Sequence, residues 1–346
     1  MDELRKDPIL DRWVAIAPQR ASRPQMLRSE IAEPTTGACP FCEGSEHETP
    51  GEVFAVRDEG SATNGPGWQL RVVPNKFPAL QPLADGDNCR SQCEVAAAAP
   101  ATAVSELYRA EPARGAHEVI IESPRHIVRA GDLNEAAWHT ILGAYRRRLD
   151  HWRHHSPLAA GLVFKNVGAA SGASLPHIHS QLVALPRVPQ LLADELRGSL
   201  DYFRRHARCA FCLLIELELA DSRRVVVESE DYVAFCPYAS RFPFETWILP
   251  KVHASEFESR THPPAPGLAG MLRDVLRRFE SIPEAACYNL IIHSSPFDSQ
   301  DLSHYHWHLE LTPRGTRLAG YELGSGYYIN PTPPEEAARR LRQAKV

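Results

Sequence analysis

Two histidines separated by one residue are the most chemically suggestive feature of the chain. His177 and His179 lie in the segment 172–181, where small residues lead into alternating apolar and polar positions, as in a loop feeding a β-strand. Residues i and i+2 of a strand share one face, about 6–7 Å apart, so both imidazoles would share a face and Ile178 would turn into the core. The pair suits metal ligation, nucleophilic catalysis or one of each. Two hydrogen-bonded surface histidines are the alternative.

The segment Cys39-Pro-Phe-Cys42 predicts a metal-binding turn. It supplies two soft ligands, and a tetrahedral zinc ion needs two more. We expect His126, at a strand end, and His177 to complete the set, which would clamp the N-terminal loop to the strand that carries His179. Four protein ligands close a site, so its role would be structural. A redox Cys-x-x-Cys is the weaker alternative, because no strand precedes Cys39 as in a thioredoxin-like context.

An internal repeat relates the two halves of the chain. An offset of 127 residues connects four pairs in matching contexts: Asn166 with His293, His126 with His253, His177 with His304, and His179 with His306. Each half has the order strand, helix, strand, strand, with helices expected at 135–153 and near 265–280. The sequence predicts an α+β fold of two histidine-triad-like domains, 1–190 and 191–346, each an antiparallel sheet with a long helix packed on it.

The repeat nominates ligands for a second Cys-x-x-Cys pair. Cys209 and Cys212 repeat the first pair, and the duplication points to His253 and either His304 or His306 as their partners. We choose His306, which shares a strand face with position 308. A second zinc ion is therefore predicted, with free thiols under an apolar cap as the alternative.

Composition excludes several functional classes. The chain has 346 residues, 43% of them hydrophobic, and a net charge of −5, so no global basic field favours nucleic acid. The N-terminus lacks the apolar core of a signal peptide, and no run approaches the length of a membrane span. We expect a cytoplasmic protein whose eight cysteines stay reduced.

The motif around the two histidines resembles the signature of a known family. Its residues are Phe164, Asn166, Ser174, Pro176, His177, His179 and Gln181. This pattern is similar to the active site of galactose-1-phosphate uridylyltransferases, which belong to the histidine-triad superfamily and contain a duplicated domain. Segments near both termini, among them Gly320-Tyr321-Glu322, extend the resemblance over nearly the whole chain.

The resemblance implies a role for each matching residue. His179 would be the nucleophile and His177 a zinc ligand. The other implied positions are Ser174 and Gln181 at the phosphoryl oxygens, Asn166 near ribose and phosphate, Asn75 and Phe77 in the nucleotide pocket, and Arg20 and Arg23 in a phosphate-proximal segment. Implied ligands are Zn²⁺, a nucleotide sugar, and a sugar 1-phosphate or phosphate. Relatives are commonly homodimers.

Several positions depart from the uridylyltransferase pattern. Ile178 and Ser180 stand where the family has Pro and Gly, and the chain after Glu322 lacks the Gln-containing sugar segment. Both features are similar to a plant-type branch that acts as an ADP-glucose phosphorylase and also carries the second Cys-x-x-Cys. The departures move the expected substrate away from galactose. The uridylyltransferase branch instead has an iron-type site, which would be altered here, at Glu195, His293, His308 and Glu310.

The implied chemistry is nucleotidyl transfer. A neutral imidazole can attack the α-phosphorus and later leave, through a phosphoramidate that a second phosphate acceptor discharges. We expect a ping-pong reaction of the UDP-glucose:hexose-1-phosphate uridylyltransferase type; the alternative is an ADP-glucose phosphorylase transferring AMP to phosphate. A hydrolase of nucleotide conjugates would have a third histidine where this chain has Gln181. A non-catalytic zinc-stabilised module would need a basic aromatic stripe, which suits a net acidic chain poorly.

Overall fold

The computed structural model contains both strands and helices and describes residues 2–22, 39–82, 108, 110, 112–155, 157–299, 301–316 and 318–346. The strands in these ranges are β1 (Glu3–Lys6), β2 (Trp13–Ile16), β3 (Phe54–Arg57), β4 (Trp68–Pro74), β5 (Ala116–Ile121), β6 (Ala160–Val167), β7 (His179–Leu185), β8 (Val225–Glu228), β9 (Tyr232–Phe235), β10 (Thr246–Pro250), β11 (Tyr288–His293), β12 (His308–Pro313) and β13 (Tyr328–Asn330). The helices are α1 (Glu135–His155), α2 (Gln190–His206), α3 (Ala210–Asp221), α4 (Leu268–Glu280), α5 (Gly320–Ser325) and α6 (Pro334–Gln343).

One continuous ten-stranded sheet spans both halves of the protein, in the order β3-β4-β5-β7-β6-β11-β12-β10-β9-β8. Reading outward from the centre, each half repeats the same arrangement of five strands. The halves join where β6 pairs antiparallel with β11, which places Asn166 opposite Asn289. The predicted duplication and α+β fold are confirmed, but the two expected half-sheets are fused. Pairing their inner strands removes two exposed edges that would otherwise have unpaired backbone groups.

Helices α1 and α4 cover the same face of this sheet. Trp138 and Tyr145 of α1 share the main core with Leu272 and Phe279 of α4 and with strand residues such as Leu182. Their apolar positions recur at helical spacing, so each helix buries one stripe against the sheet. The predicted helices at 135–153 and 265–280 agree with α1 and α4 within a few residues.

The opposite face of the sheet is covered differently in the two halves. In the second half, α2 and α3 pack Leu192 and Phe211 against Trp247 and Leu249 of β10. In the first half, the segment that begins at Cys39 lies over β7. The remaining strands, β1, β2 and β13, form a separate three-stranded sheet. No helix in the described ranges is both long and apolar enough to cross a membrane.

Gly168, at the end of β6, occupies a position that only glycine tolerates. Its φ is +81°, and a Cβ there would lie 2.1 Å from the Sγ of Cys287. We expect Gly168→Ala to destabilise the fold by about 1–3 kcal/mol, because strain and a steric clash combine. The matched control is Gly143→Ala inside α1, where a Cβ meets nothing within 4 Å. It should stabilise by about 0.5–1 kcal/mol. Urea unfolding measures both, and equal effects would contradict the prediction.

Candidate active site

His179 is the first residue of strand β7, and a hydrogen bond to the backbone determines which of its ring nitrogens is free to react. The ring Nδ1 lies 2.8 Å from the backbone oxygen of His177. A carbonyl can only accept, so Nδ1 carries the proton and Nε2 keeps its lone pair. Burial lowers the pKa of His179 below its ordinary value, which favours the neutral ring. His179 is therefore arranged as a nucleophile whose developing positive charge meets a backbone carbonyl.

His179 opens into a cavity of about 640 Å³, a size typical of small-ligand sites. Five residues predicted from the sequence line it together: Asn75, Phe77, Ser174, His179 and Gln181. Phe77 lies at the surface with 84% of its area exposed. The ring of Phe41 also lines the cavity and contacts His179 edge-on, with centroids 5.2 Å apart. Phe41 is a cavity-lining residue that the sequence analysis did not predict. Its position between the two cysteines of the turn could have indicated that it lies near His179.

The other predicted binding residues lie outside this cavity lining. Asn166 accepts a 2.7 Å hydrogen bond from the amide of Asn289, which also donates to the carbonyl of Ser171. Asn289, from the second half of the chain, thus ties Asn166 to the loop 168–172. Arg20 lies in the 3₁₀ segment Pro18–Ser22 and is not among the described residues that line the cavity. Arg23 falls outside the described residues.

Ser180 and Ile178 point away from the cavity, as the alternation of a strand requires. Both are buried on the side that faces the helices. Ser180 donates a hydrogen bond of 2.6 Å to Glu122, and the hydroxyl of Tyr145 on α1 donates to the same oxygen. These two departures from the uridylyltransferase pattern therefore do not touch the substrate cavity. They say nothing direct about which sugar is bound.

A buried ion pair lies directly behind the nucleophile. Lys165 donates to Glu122 and, at 3.1 Å, to the backbone oxygen of His179. Both charged side chains are almost fully buried. Sequence reasoning missed this pair, although a lysine at a strand position between two motif residues is a recognisable signal. The pair fixes the main chain of the nucleophile from the side opposite the cavity.

The first predicted metal cluster is assembled in the structure. The ligand atoms of Cys39, Cys42, His126 and His177 all lie within 4.8 Å of one another. The Nδ1 of His177 is 3.5 Å from the Sγ of Cys39, and its Nε2 donates to the carbonyl of Ser123 at 2.9 Å. That donation directs the lone pair of Nδ1 at the sulfurs, as second-sphere hydrogen bonds do in metal sites. The donor set fits a metal ion.

The second predicted cluster has the same design. Cys209, Cys212, His253 and His306 meet within 4.8 Å. The Nδ1 of His306 faces the Sγ of Cys212 at 3.6 Å, while its Nε2 donates to the carbonyl of Pro250. The hydrogen bond from Cys212 lowers the pKa of the Cys209 thiol, which favours the thiolate form that a metal needs. His306, rather than His304, is the histidine near β12 that the structure brings to this cluster.

The predicted offset of 127 residues is wrong for strand β12 and the histidines before it, which correspond to β7 at an offset of 129 residues. His306, not His304, occupies the place that His177 has in the first cluster. Likewise His308, not His306, occupies the place of His179, since its Nδ1 lies 3.1 Å from the carbonyl two residues earlier. The loop before β12 is two residues longer than the loop before β7. The sequence did not reveal this insertion, because histidines alternate from 304 to 308 and a shift of two residues still aligns histidine with histidine.

The second-half equivalent of the catalytic position is a buried third cluster. Glu195 from α2 joins His293, His308 and Glu310, with ligand atoms within 4.8 Å of one another. The Nε2 atoms of both histidines are buried and have no hydrogen-bond partner among the described residues. Glu310 also pairs with the buried Arg241. The four residues of the altered iron-type site are therefore brought together in a set that could hold a metal ion.

Comparison with known proteins decides the family. A sequence model described as galactose-1-phosphate uridyl transferase, N-terminal domain, matches residues 1–189, and the corresponding C-terminal domain matches residues 195–343. The chain belongs to this family. The resemblance to the uridylyltransferase family that the sequence motif indicated is thereby confirmed, as is the expected class of enzyme, a transferase.

Two relatives show how the chain lies within the uridylyltransferase family. ADP-glucose phosphorylase of Arabidopsis thaliana is 36% identical over 349 residues, covering 99% of this chain and 93% of that protein. Galactose-1-phosphate uridylyltransferase of Thermotoga maritima is 27% identical and covers 100% and 99%. The crystal structure of the A. thaliana ADP-glucose phosphorylase with bound ADP-glucose matches with a TM-score of 0.81, at 35% identity over 100% of both chains.

The ion pair behind His179 yields a stability prediction. Lys165→Met should destabilise the protein by about 3–5 kcal/mol, because the buried carboxylate of Glu122 loses its cation. The matched control is Lys251→Met, whose partner Glu228 is half exposed. That change should cost less than about 1 kcal/mol. Urea unfolding followed by circular dichroism measures both. A Lys165→Met loss no larger than the control's would contradict a stabilising role for the Lys165–Glu122 pair.

Proposed function

We propose that the protein transfers a nucleotidyl group from a nucleotide sugar to a phosphate acceptor through a covalent nucleotidyl-His179. The observation that carries this is the 2.8 Å hydrogen bond from Nδ1 of His179 to the carbonyl of His177, at the wall of a cavity of ligand size. In the first step Nε2 forms a bond to the α-phosphorus, and the bond from that phosphorus to the β-phosphate oxygen breaks. The sugar 1-phosphate leaves with the electron pair.

The second step reverses the first with a new acceptor. A phosphate oxygen of hexose 1-phosphate or of inorganic phosphate attacks the same phosphorus, and the bond to His179 breaks. The hydroxyl of Ser174 and the amide of Gln181 line the same cavity and can donate to the phosphoryl oxygens. The amide of Gln181 can donate a hydrogen bond but cannot act as a general acid toward a leaving group, which supports transfer over hydrolysis.

We infer UDP-glucose:hexose-1-phosphate uridylyltransferase chemistry from the family, with one observation favouring a second candidate. The relative named ADP-glucose phosphorylase shares 36% of its residues with this chain, against 27% for the T. maritima uridylyltransferase. ADP-glucose with phosphate as the acceptor is therefore the second candidate. The position of Phe77 and Asn75 at the cavity is compatible with either base. The expected homodimer and cytoplasmic location stay predictions, as does the division of the chain at residue 190.

We also propose that both Cys₂His₂ clusters bind zinc. Two thiolates and two imidazoles in a closed set favour a tetrahedral zinc ion. Bound there, zinc supplies structural cross-linking, and it takes no part in phosphoryl transfer. Cys39 and Cys42 would tie the wall containing Phe41 to the strand of His179.

The covalent intermediate can be observed directly. Incubation with UDP-glucose and ADP-glucose in parallel should add one UMP or one AMP to the protein, because acceptor-free enzyme stops at the intermediate. Intact-mass analysis gives the base at once. His179→Gly should abolish the adduct, whereas His139→Ala, at an exposed position of α1, should leave it unchanged. No adduct with either donor, or one that survives His179→Gly, rules out the mechanism.

Metal content tests the zinc proposal. Protein purified without chelators should contain at least two zinc ions per chain, and Cys42→Ser should lose one of them, because a tetrahedral site with three protein ligands binds far more weakly. The matched control is Cys236→Ala, a buried cysteine outside all three clusters, which should leave zinc unchanged. Zinc content that Cys42→Ser does not lower would refute zinc at the first site.

A further inference from the structure

His117 lies on β5, the strand that pairs with β7, and its side chain contacts a residue of β7. Val119 is paired with Gln181 and His117 with Val183, so the side chains of His117 and Gln181 are diagonal neighbours on one face of the sheet. The Nε2 of His117 lies 2.8 Å from the Oε1 of Gln181. No motif pointed to His117, and it has no role in the steps described so far.

The backbone determines the tautomer of His117. The amide N–H of Ala79 donates to the Nδ1 of His117 at 3.0 Å. A backbone N–H cannot accept, so Nδ1 is the unprotonated nitrogen and a neutral ring must carry its proton on Nε2. Nε2 therefore donates to Gln181, which can accept only through Oε1.

This donation also determines which end of the Gln181 amide faces the cavity. The Nδ2 of Asn75 lies 3.0 Å from the Nε2 of His117 and 3.4 Å from the same Oε1. The Oδ1 of Asn75 accepts from the backbone N–H of Phe77 at 2.8 Å, so its Nδ2 is a donor. Because the Nε2 of His117 already carries the ring proton, Oε1 of Gln181 is the acceptor that both donors share. With Oε1 turned to these two donors, the NH₂ group of Gln181 is left for the cavity that it lines. A rotated amide would instead present Oε1 to the cavity and leave the Nε2–H of His117 facing another donor.

We infer that His117 is a positioning residue that holds the amide of Gln181 with its NH₂ group toward an anionic phosphoryl group. The inference rests on the proposed function, because it assigns Gln181 to the non-bridging oxygens of the transferred phosphoryl group. Those oxygens carry negative charge and only accept hydrogen bonds. A fixed NH₂ attracts them, whereas a rotated amide repels them, so the relay from Ala79 through His117 selects for a phosphoryl group at this point.

A double-mutant cycle tests the relay in the full-length protein. The measured quantity is the rate of nucleotidyl-His179 formation by rapid quench and intact mass, with whichever donor labels the wild type. Gln181→Ala and His117→Ala should each slow the step by about tenfold or more. The double variant should be no slower than Gln181→Ala alone, because His117 acts only through Gln181. His117→Gln, which retains an N–H donor, should recover part of the rate. His139→Ala is the matched histidine control.

The cycle separates failure of the inference from failure of the proposed function. If the wild type forms the adduct but the two single effects multiply, or if His117→Ala is no slower than the control, the positioning role is wrong. If the wild type forms no adduct, the proposed function fails, and a second measurement still decides the relay. Nitrogen-15 histidine spectra, assigned with His117→Gln, should show His117 as the Nε2–H tautomer with a proton resonance that shifts in Gln181→Ala. An Nδ1–H tautomer would overturn the inference.

Discussion

Every functional side chain of strand β7 depends on the alternation of its backbone. His179 and Gln181 face the cavity, and His177 of the first Cys₂His₂ cluster comes just before them, while Ile178 and Ser180 face the helices. A slip of one residue in the pairing with β5 would exchange the two sets and turn His179 toward the helices. The buried lysine that donates to the carbonyl of His179 and the cysteines that contact His177 oppose such a slip from opposite faces.

The duplication makes the two halves of the sheet a natural comparison. At the position of His179 the second half has His308, with the same hydrogen bond to a backbone carbonyl two residues earlier. At the position of Gln181 it has Glu310, whose carboxylate pairs with Arg241. Helix α2 closes this region with Glu195. The same strand geometry thus serves an open reactive site in one half and a buried cluster in the other, and the covering helix makes the difference.

The predictions from sequence agree with the structure where the spacing of residues within a short motif determines their relative positions. Both Cys-x-x-Cys pairs, the shared face of His177 and His179, and helices α1 and α4 follow from spacings of two to four residues. The histidines of the second Cys₂His₂ set were nominated by the repeat, and the structure brings both sets together. The predicted register of the repeat was wrong at β12, because the alternating histidines from 304 to 308 match those of the first half at more than one offset. Arg20 and Asn166 were placed at the ligand through the resemblance, and neither lines the described cavity.

Residue types and local periodicity were enough to specify the strand, the face that His177 and His179 share, and the two Cys-x-x-Cys turns. Those properties depend on neighbours within one turn or one strand, where the backbone period leaves few choices. The class of chemistry came from the resemblance of the motif to a known family. Long-range pairing decided the rest. Fusion of the half-sheets through β6 and β11, the buried Lys165–Glu122 pair and the relay from Ala79 through His117 to Gln181 each join residues far apart in the chain. No local pattern constrains such contacts, because their energies arise only when the folded chain excludes water from around them.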